Sequence, residues 1–467
     1  MSDTTISSQS SPASTTNVAS GAFPQAAGTP RRFHWGVATA AYQIEGSPQA
    51  DGAGICVWDE FSRTQGNTYE GHTGDVACDH FNRWPQDIAL MGELGVSAYR
   101  FSIRWPRILP DGDGAVNQPG VDFYDRLVDG LLEAGIEPFV TLFHWDLPAA
   151  LQRRGGWSNP DVADWFARYA EVLVAALGDR VRNWITLNEP HIVAEHGHLN
   201  GDHAPGIRNV YAACHTIHNE IRAHVAAAQV IRSAVPEAAV GLALSNSAIT
   251  PASADPDDVL AARVARQWHN FPLYLEPLIH GRYPAEIEQR IRPYLPDGYE
   301  SQLPAMVDAP DFVGINYYSG FLARADASSW LGYSAASEPE IPRTGMGWPI
   351  RPEGIHQVLT EVHADYALPA VYVTENGAAF DDLERAGAVE DQQRIDYLDA
   401  HIRQVLRARQ EGVPVDGYFV WSLLDNYEWA FGYDKRFGIV RVDFETQERI
   451  VKNSGWWYRD LIRSQRG

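Results

Sequence analysis

Two glutamates close apolar, strand-like runs in this sequence: Glu189 at the end of "NWITLNE" (183–189) and Glu375 within "AVYVTENG" (370–377). A carboxylate delivered where a buried strand leaves the core is either solvated by the next loop or placed for chemistry. Two of them at matching strand ends have a specific use. Facing each other across a cleft, one keeps its proton and gives it to a leaving oxygen. The other, ionised, attacks an acetal carbon or activates water there. The residues at other strand ends suit a sugar. Gln43, His144, Asn188, Asn316 and Glu428 supply fixed donors and acceptors for hydroxyls, and Trp421 and Trp429 offer apolar faces to the C–H side of a pyranose.

Eight apolar runs position these groups: 34–41, 97–103, 137–143, 183–189, 240–247, 311–318, 370–377 and 417–424. Helical patterns lie between them. In "VDFYDRLVDGLLEAG" (121–135), Phe123, Leu127, Val128, Leu131 and Leu132 fall on one face and Gly135 ends the helix. Near-continuous apolar strands alternating with helices predict a parallel sheet covered on its outer face. Eight such units predict a single (β/α)8 TIM barrel with elaborated βα loops, whose active site lies at the C-terminal strand ends. A doubly wound open sheet is the alternative, although no Gly-rich phosphate turn follows the first run. In the barrel reading Glu189 and Glu375 lie on opposite sides of one opening, and Arg100 sits inside the second strand.

Composition bounds the partners. The chain has 467 residues and a formal net charge of −23, from 60 acidic against 37 basic residues, of which only Lys435 and Lys452 are lysine. Nucleic acid and anionic membrane surfaces would both be repelled. No run approaches the roughly 20 apolar residues of a membrane helix. Three scattered cysteines, Cys56, Cys78 and Cys214, give no disulfide framework and no CxxC, which suits a cytoplasmic location. Residues 1–30, rich in Ser, Thr, Ala, Gly and Pro, lack the basic start and apolar stretch of a secretory signal. They are expected to form a disordered tail before one catalytic domain over 31–467.

The ordered segments "FHWGVATAAYQIEG", "YRFSI", "FHWDLP", "TLNEP", "GINYY", "VTENG" and "WSLLDNYEWAFGYDKRFGIVRVDF" resemble family 1 glycoside hydrolases of the β-glucosidase type, across roughly residues 31–465. The resemblance implies a (β/α)8 barrel and exo-acting hydrolysis with retention, without cofactor or metal. The substrate would be a small β-glucoside or cello-oligosaccharide, with β-fucosides and β-galactosides as further substrates, and a homo-oligomer is compatible with the family. Carried onto matching positions, Glu375 is the nucleophile and Glu189 the acid/base. Arg100 and Tyr318 orient Glu375. Gln43, His144, Trp145, Asn188, Asn316, Tyr318, Trp421, Glu428, Trp429 and Phe437 form the substrate site. An ionised Glu428 would bond O4 and O6 of a neutral sugar and repel a 6-phosphate. Two positions depart from the family pattern. His191 stands where an aromatic residue, usually Trp, follows the acid/base, and Arg104 stands where a small residue is common.

Taken singly, each residue has a plainer reading: a solvated Glu, a core Trp, a buried ion-paired Arg, a structural His. Their joint placement favours the site. The segment 191–206 holds four histidines and two acids, but no HExxH, and its spacings suit no single helix face. Two other functions remain distinguishable. A non-catalytic sugar-binding relative would have lost one carboxylate, and a metal-dependent hydrolase on this fold would respond to chelator.

Overall fold

The computed structural model describes residues 32–385 and 387–465. The tail expected over residues 1–30 lies outside them. Among the described residues, eight parallel strands close into a ring: β1 (His34–Ala38), β2 (Ala98–Ser102), β3 (Glu137–Phe143), β4 (Asn183–Asn188), β5 (Ala239–Pro251), β6 (Phe312–Ala325), β7 (Val371–Asn376) and β8 (Val415–Trp421). Each pairs with the next, and β8 pairs with β1 with Trp421 opposite Ala38. Helices α1 (His80–Leu94), α2 (Gln118–Glu133), α3 (Val162–Leu177), α4 (Val210–Ala234), α5 (Pro256–His269), α6 (Pro352–Tyr366), α7 (Gln392–Gln410) and α8 (Asn453–Gln465) follow the strands in turn. This is the (β/α)8 barrel that the alternation predicts; a closed ring excludes the open sheet.

Each predicted strand is present within a few residues of its expected bounds. The largest difference is that β5 and β6 continue as a pair past the ring, out to Pro251 opposite Ala323, and a short strand, Tyr333–Ala335, folds back on β6. Outside the ring one face meets solvent, so the apolar run breaks and the sequence hides the extension. In α2, Phe123, Leu127, Val128 and Leu131 are buried as expected, but Leu132 is 38 % exposed, one step off the packed stripe. Gly135 follows α2 with φ +71°, a left-handed turn that glycine adopts without steric cost.

Aromatic side chains plug the lower ring and make the floor beneath the opening. Phe139 meets His34 (5.4 Å between ring centres), Tyr372 (5.2 Å) and Phe419 (4.9 Å) edge-on, and Tyr372 meets Phe312 at 5.2 Å. Gly36 allows this: a Cβ there would fall 2.4 Å from the Phe419 ring.

Both glutamate-bearing strands depart from regular alternation just before their acids. Between Ile185 and Asn188, β4 spends one residue more than β5. Thr186 therefore points outward to His224 of α4 (2.6 Å), while Asn188, two positions on, points inward to Arg100. Between Val373 and Glu375, β7 spends one residue more than β6. Tyr372 points into the ring, and so does Glu375, three positions later. Each is a β-bulge, which re-aims the side chains that follow it.

Candidate active site

Arg100, 1 % exposed in mid-β2, is the hub of the upper ring. Its Nη1 donates to Glu375 Oε1 (2.5 Å) and to the Thr374 carbonyl (3.2 Å), its Nη2 to Asn188 Oδ1 (2.5 Å), and its Nε to Thr141 Oγ1 (3.3 Å). The Tyr318 hydroxyl donates to the other Glu375 oxygen at 2.7 Å. Glu375 thus carries a charge-assisted hydrogen bond on one oxygen and a phenol on the other, and both favour the carboxylate.

Glu189 has a different setting. It follows β4 in left-handed backbone (φ +46°, ψ +55°), with its N–H bonded to the Ala243 carbonyl at 2.8 Å. Such backbone on a non-glycine residue persists where the surroundings hold it, and it clusters at functional sites. Trp145 (φ +77°) and Trp429 (φ +50°) also have positive φ. Asn316 Nδ2 donates to Glu189 Oε1 (2.9 Å) and to Asn188 Oδ1 (3.1 Å), and Asn316 Oδ1 accepts from Thr374 Oγ1 (2.6 Å). One continuous chain, Glu375–Arg100–Asn188–Asn316–Glu189, therefore joins the two acids.

Three carboxyl groups share this buried opening. Burial first, and then the Glu375 charge, push Glu189 up to about 8, against the hydrogen bond from Asn316. Burial, then Glu375 and Glu189, push Glu428 up to about 8 as well. Burial also raises Glu375, but Arg100 and Tyr318 oppose the rise. The cation of the cluster touches Glu375, so of the three carboxyls Glu375 is the one whose charge is supported, while burial and the neighbouring acids disfavour charge on Glu189 and Glu428. The expectation of an ionised Glu428 meets an opposing setting: burial and the two neighbouring acids push its carboxyl up, and the hydrogen bond from Gln43 favours the charge.

The remaining candidates gather around the same opening. Gln43, in the helical turn Ala41–Ile44 after β1, donates through Nε2 to the Tyr427 carbonyl (2.9 Å), Asn426 Oδ1 (3.1 Å) and Glu428 Oε2 (3.4 Å). Its Oε1 is buried with no donor among the described residues, an acceptor suited to a ligand hydroxyl. His144 Nε2 lies 3.0 Å from Asn188 Nδ2, and burial and Arg100 hold the imidazole neutral, so it accepts that bond. The rings of Trp421 and Trp429 lie near-parallel to it, centres 5.7 and 6.0 Å away. Trp145 packs against Trp429 at 4.6 Å and donates through Nε1 to the Asn188 carbonyl at 3.0 Å. Phe437 meets the Tyr318 ring at 6.1 Å.

Of the departures, His191 is buried directly after Glu189–Pro190, its ring 6.3 Å from that of His269, and Arg104 is buried against Asp59. The histidine-rich segment bonds within itself, with His196 to Asp202 (3.1 Å) and His198 to the Val193 carbonyl (2.9 Å). Among the described residues, no three His, Cys, Asp or Glu side chains are arranged to hold a metal ion. No helix among them is long and apolar enough to cross a membrane, and all three cysteines are buried and free.

Sequence reasoning passes over two contributors. Thr374 orients Asn316 and, through its carbonyl, Arg100; its only mark in the sequence is its place beside Glu375. Trp348 covers Tyr318 (5.4 Å) and Phe437 (6.2 Å) from a loop without apolar periodicity, where a lone Trp between Gly347 and Pro349 is the sole cue.

The sequence and fold match characterised proteins over nearly their whole length. Beta-glucosidase A of Thermotoga maritima is 55 % identical over 436 residues, covering 93 % of this chain and 98 % of that one. A 1,4-beta-D-glucan glucohydrolase of Thermotoga neapolitana matches to the same extent, 55 % over 436 residues with the same coverage. The structure of the Thermotoga maritima beta-glucosidase in complex with glucoimidazole superimposes with a TM-score of 0.92 at 55 % identity, over 93 % of this chain and 99 % of that one. The family model for glycosyl hydrolase family 1 matches residues 25–466, and the chain belongs to that family.

Proposed function

We propose that this protein is a retaining β-glucosidase that releases the terminal non-reducing β-D-glucosyl residue from small β-glucosides and cello-oligosaccharides. The observation that carries the assignment of roles is the unlike setting of the two acids: Glu375 is hydrogen-bonded by the Arg100 guanidinium and the Tyr318 hydroxyl, which favour its charge, whereas burial and the Glu375 charge push Glu189 up. Glu189 gives that proton to the glycosidic oxygen as the C1–O bond breaks, and a Glu375 oxygen bonds C1 from the α face. Glu189, now ionised, takes a proton from water as the water oxygen bonds C1. The ester to Glu375 breaks and a β-hemiacetal leaves. Gln43, His144, Asn188, Glu428 and Trp429 hold the hydroxyls, and Trp421 lies beneath the ring. His191 lies on the leaving-group side of Glu189.

The stereochemistry of azide rescue separates the roles. Glu189→Ala with an activated aryl β-glucoside still forms the α-linked intermediate, and azide, which needs no base, attacks it to give the β-glucosyl azide. Glu375→Ala forms no intermediate, and azide entering the α-face cavity gives the α-glucosyl azide. Proton NMR of each product reads the outcome. The opposite pattern would exchange the two roles, and near-normal hydrolysis by Glu375→Ala would remove Glu375 from the mechanism.

A further inference from the structure

Arg104 lies four residues beyond Arg100 and, among the described residues, makes its side-chain hydrogen bonds away from the chain that joins the two acids, yet it too is 1 % exposed. Its Nη2 donates to Asp59 Oδ2 (2.5 Å) and lies 3.8 Å from Cys56 Sγ. Asp59 Oδ2 also accepts the Cys56 N–H (2.7 Å), which fixes the turn that carries Val57 and Trp58. The guanidinium carbon sits 5.7 Å from the centre of the Tyr42 ring. Each of these attachments leads to Trp429. The Tyr42 ring is parallel to the Trp429 indole (5.9 Å, 6°) and its hydroxyl donates to the Trp58 carbonyl at 3.0 Å. Trp58, the neighbour of Asp59, packs on Trp429 at 4.7 Å. Trp145 also packs on Trp429, at 4.6 Å. Trp429 itself is held in left-handed backbone, a conformation that a bulky residue keeps only while its surroundings enforce it.

We infer that Arg104 is a positioning residue for Trp429. It anchors Asp59 and Tyr42, and so fixes the aromatic wall on which the C4–C6 edge of the terminal sugar is read. Its effect is on discrimination among glycones and not on bond cleavage at C1. The inference rests on the proposed reading of Glu428 and Trp429 as sugar-binding residues. Tyr42 precedes Gln43 in the same helical turn, so the same anchor steadies the Glu428 partner.

The test compares kcat and KM for an aryl β-glucoside and the corresponding β-xyloside, which lacks C6. The variants are Arg104→Lys, Arg104→Met and the double variant Arg104→Met/Asp59→Asn. Arg104→Met leaves Asp59 buried without its cation, so its Tm falls, and the glucoside-to-xyloside ratio of kcat/KM falls by about tenfold or more, mainly through KM for the glucoside. The double variant removes the stranded charge and regains Tm, but the ratio stays low because no flat cation faces Tyr42. Arg104→Lys keeps an ion pair with Asp59 but lacks the planar face, and its ratio also falls. A wild-type ratio in any of the three, folded by circular dichroism, overturns the inference: a general structural role lowers Tm without moving the ratio. Failure of the wild-type protein to cleave the glucoside at all would instead overturn the glycosidase reading.

Discussion

The proton on Glu189 has two sources of support, and one of them can be switched off. Burial raises this carboxyl first and the charge on Glu375 second, together to about 8. Replacing Glu375 with Gln, or esterifying it with a 2-deoxy-2-fluoroglucosyl group, removes the charge and leaves the burial. At the ~5.5 Å separation of a retaining pair and an effective dielectric of about 20, two unit charges interact by about 3 kcal/mol, which is roughly two pH units. Glu189 should then titrate near about 6 in both forms, below its starting value of about 8 but still above an ordinary glutamate because burial persists. That drop is what lets one residue serve as acid in the first step and base in the second: once the ester neutralises Glu375, Glu189, having given its proton to the leaving oxygen, stays ionised to take one from water. Carbon-13 NMR of side-chain-labelled glutamate, with Glu189→Gln to assign the resonance, measures it directly. If Glu189 still titrated at about 8 in both the Gln variant and the ester, burial alone would set its proton affinity and the argument would fail.

For the wild-type enzyme, kcat/KM should fall on the acid side as Glu375 takes up a proton and on the alkaline side as Glu189 loses its own near pH 8; a flat profile from about pH 4 to 9 would contradict this. Asn316→Ala removes the bond that favours ionised Glu189, so the alkaline limb should move to higher pH while kcat falls about 10- to 100-fold; an alkaline limb moving down would refute the orientation. A 6-phosphoglucoside would bury a dianion beside Glu428, where burial and the neighbouring acids already disfavour negative charge, so the neutral glucoside should be preferred by at least about 100-fold, roughly 2.7 kcal/mol; equal rates would count against that picture. Gly36→Ala forces a methyl into the Phe419 ring and should cost about 1–3 kcal/mol, seen as a lower Tm with kcat intact well below it.

Much of this was legible in the sequence because buried parallel strands are written as continuous apolar runs and most of them lead to a functional group. Glu189, Glu375, Arg100 and Tyr318 could be placed at strand level without knowing any contact. What stayed hidden depends on the third dimension. The upward push on the Glu428 carboxyl follows from burial and from three acids converging with a cation that touches only one of them. The outward turn of Leu132 is a matter of tens of degrees on a helix, below what an apolar stripe specifies. Thr374 and Trp348 act through partners that lie 30 or more positions away along the chain, and Arg104 acts through Tyr42 and Asp59, which no local spacing links to it.

The extra residue in each of β4 and β7 bears on how such a site can be altered or moved. A side chain's facing in a strand is a matter of odd and even, and one insertion reverses the parity of everything after it. Removing a single residue from 186–187 or from 373–374 would leave the glutamates in the polypeptide and swing them toward the helical jacket. Transplanting the acids onto another eight-stranded scaffold therefore means transplanting the irregular stretch before each one. Length variation among barrels of this kind should accordingly be tolerated in the loops beyond the glutamates and rejected in the few positions immediately ahead of them.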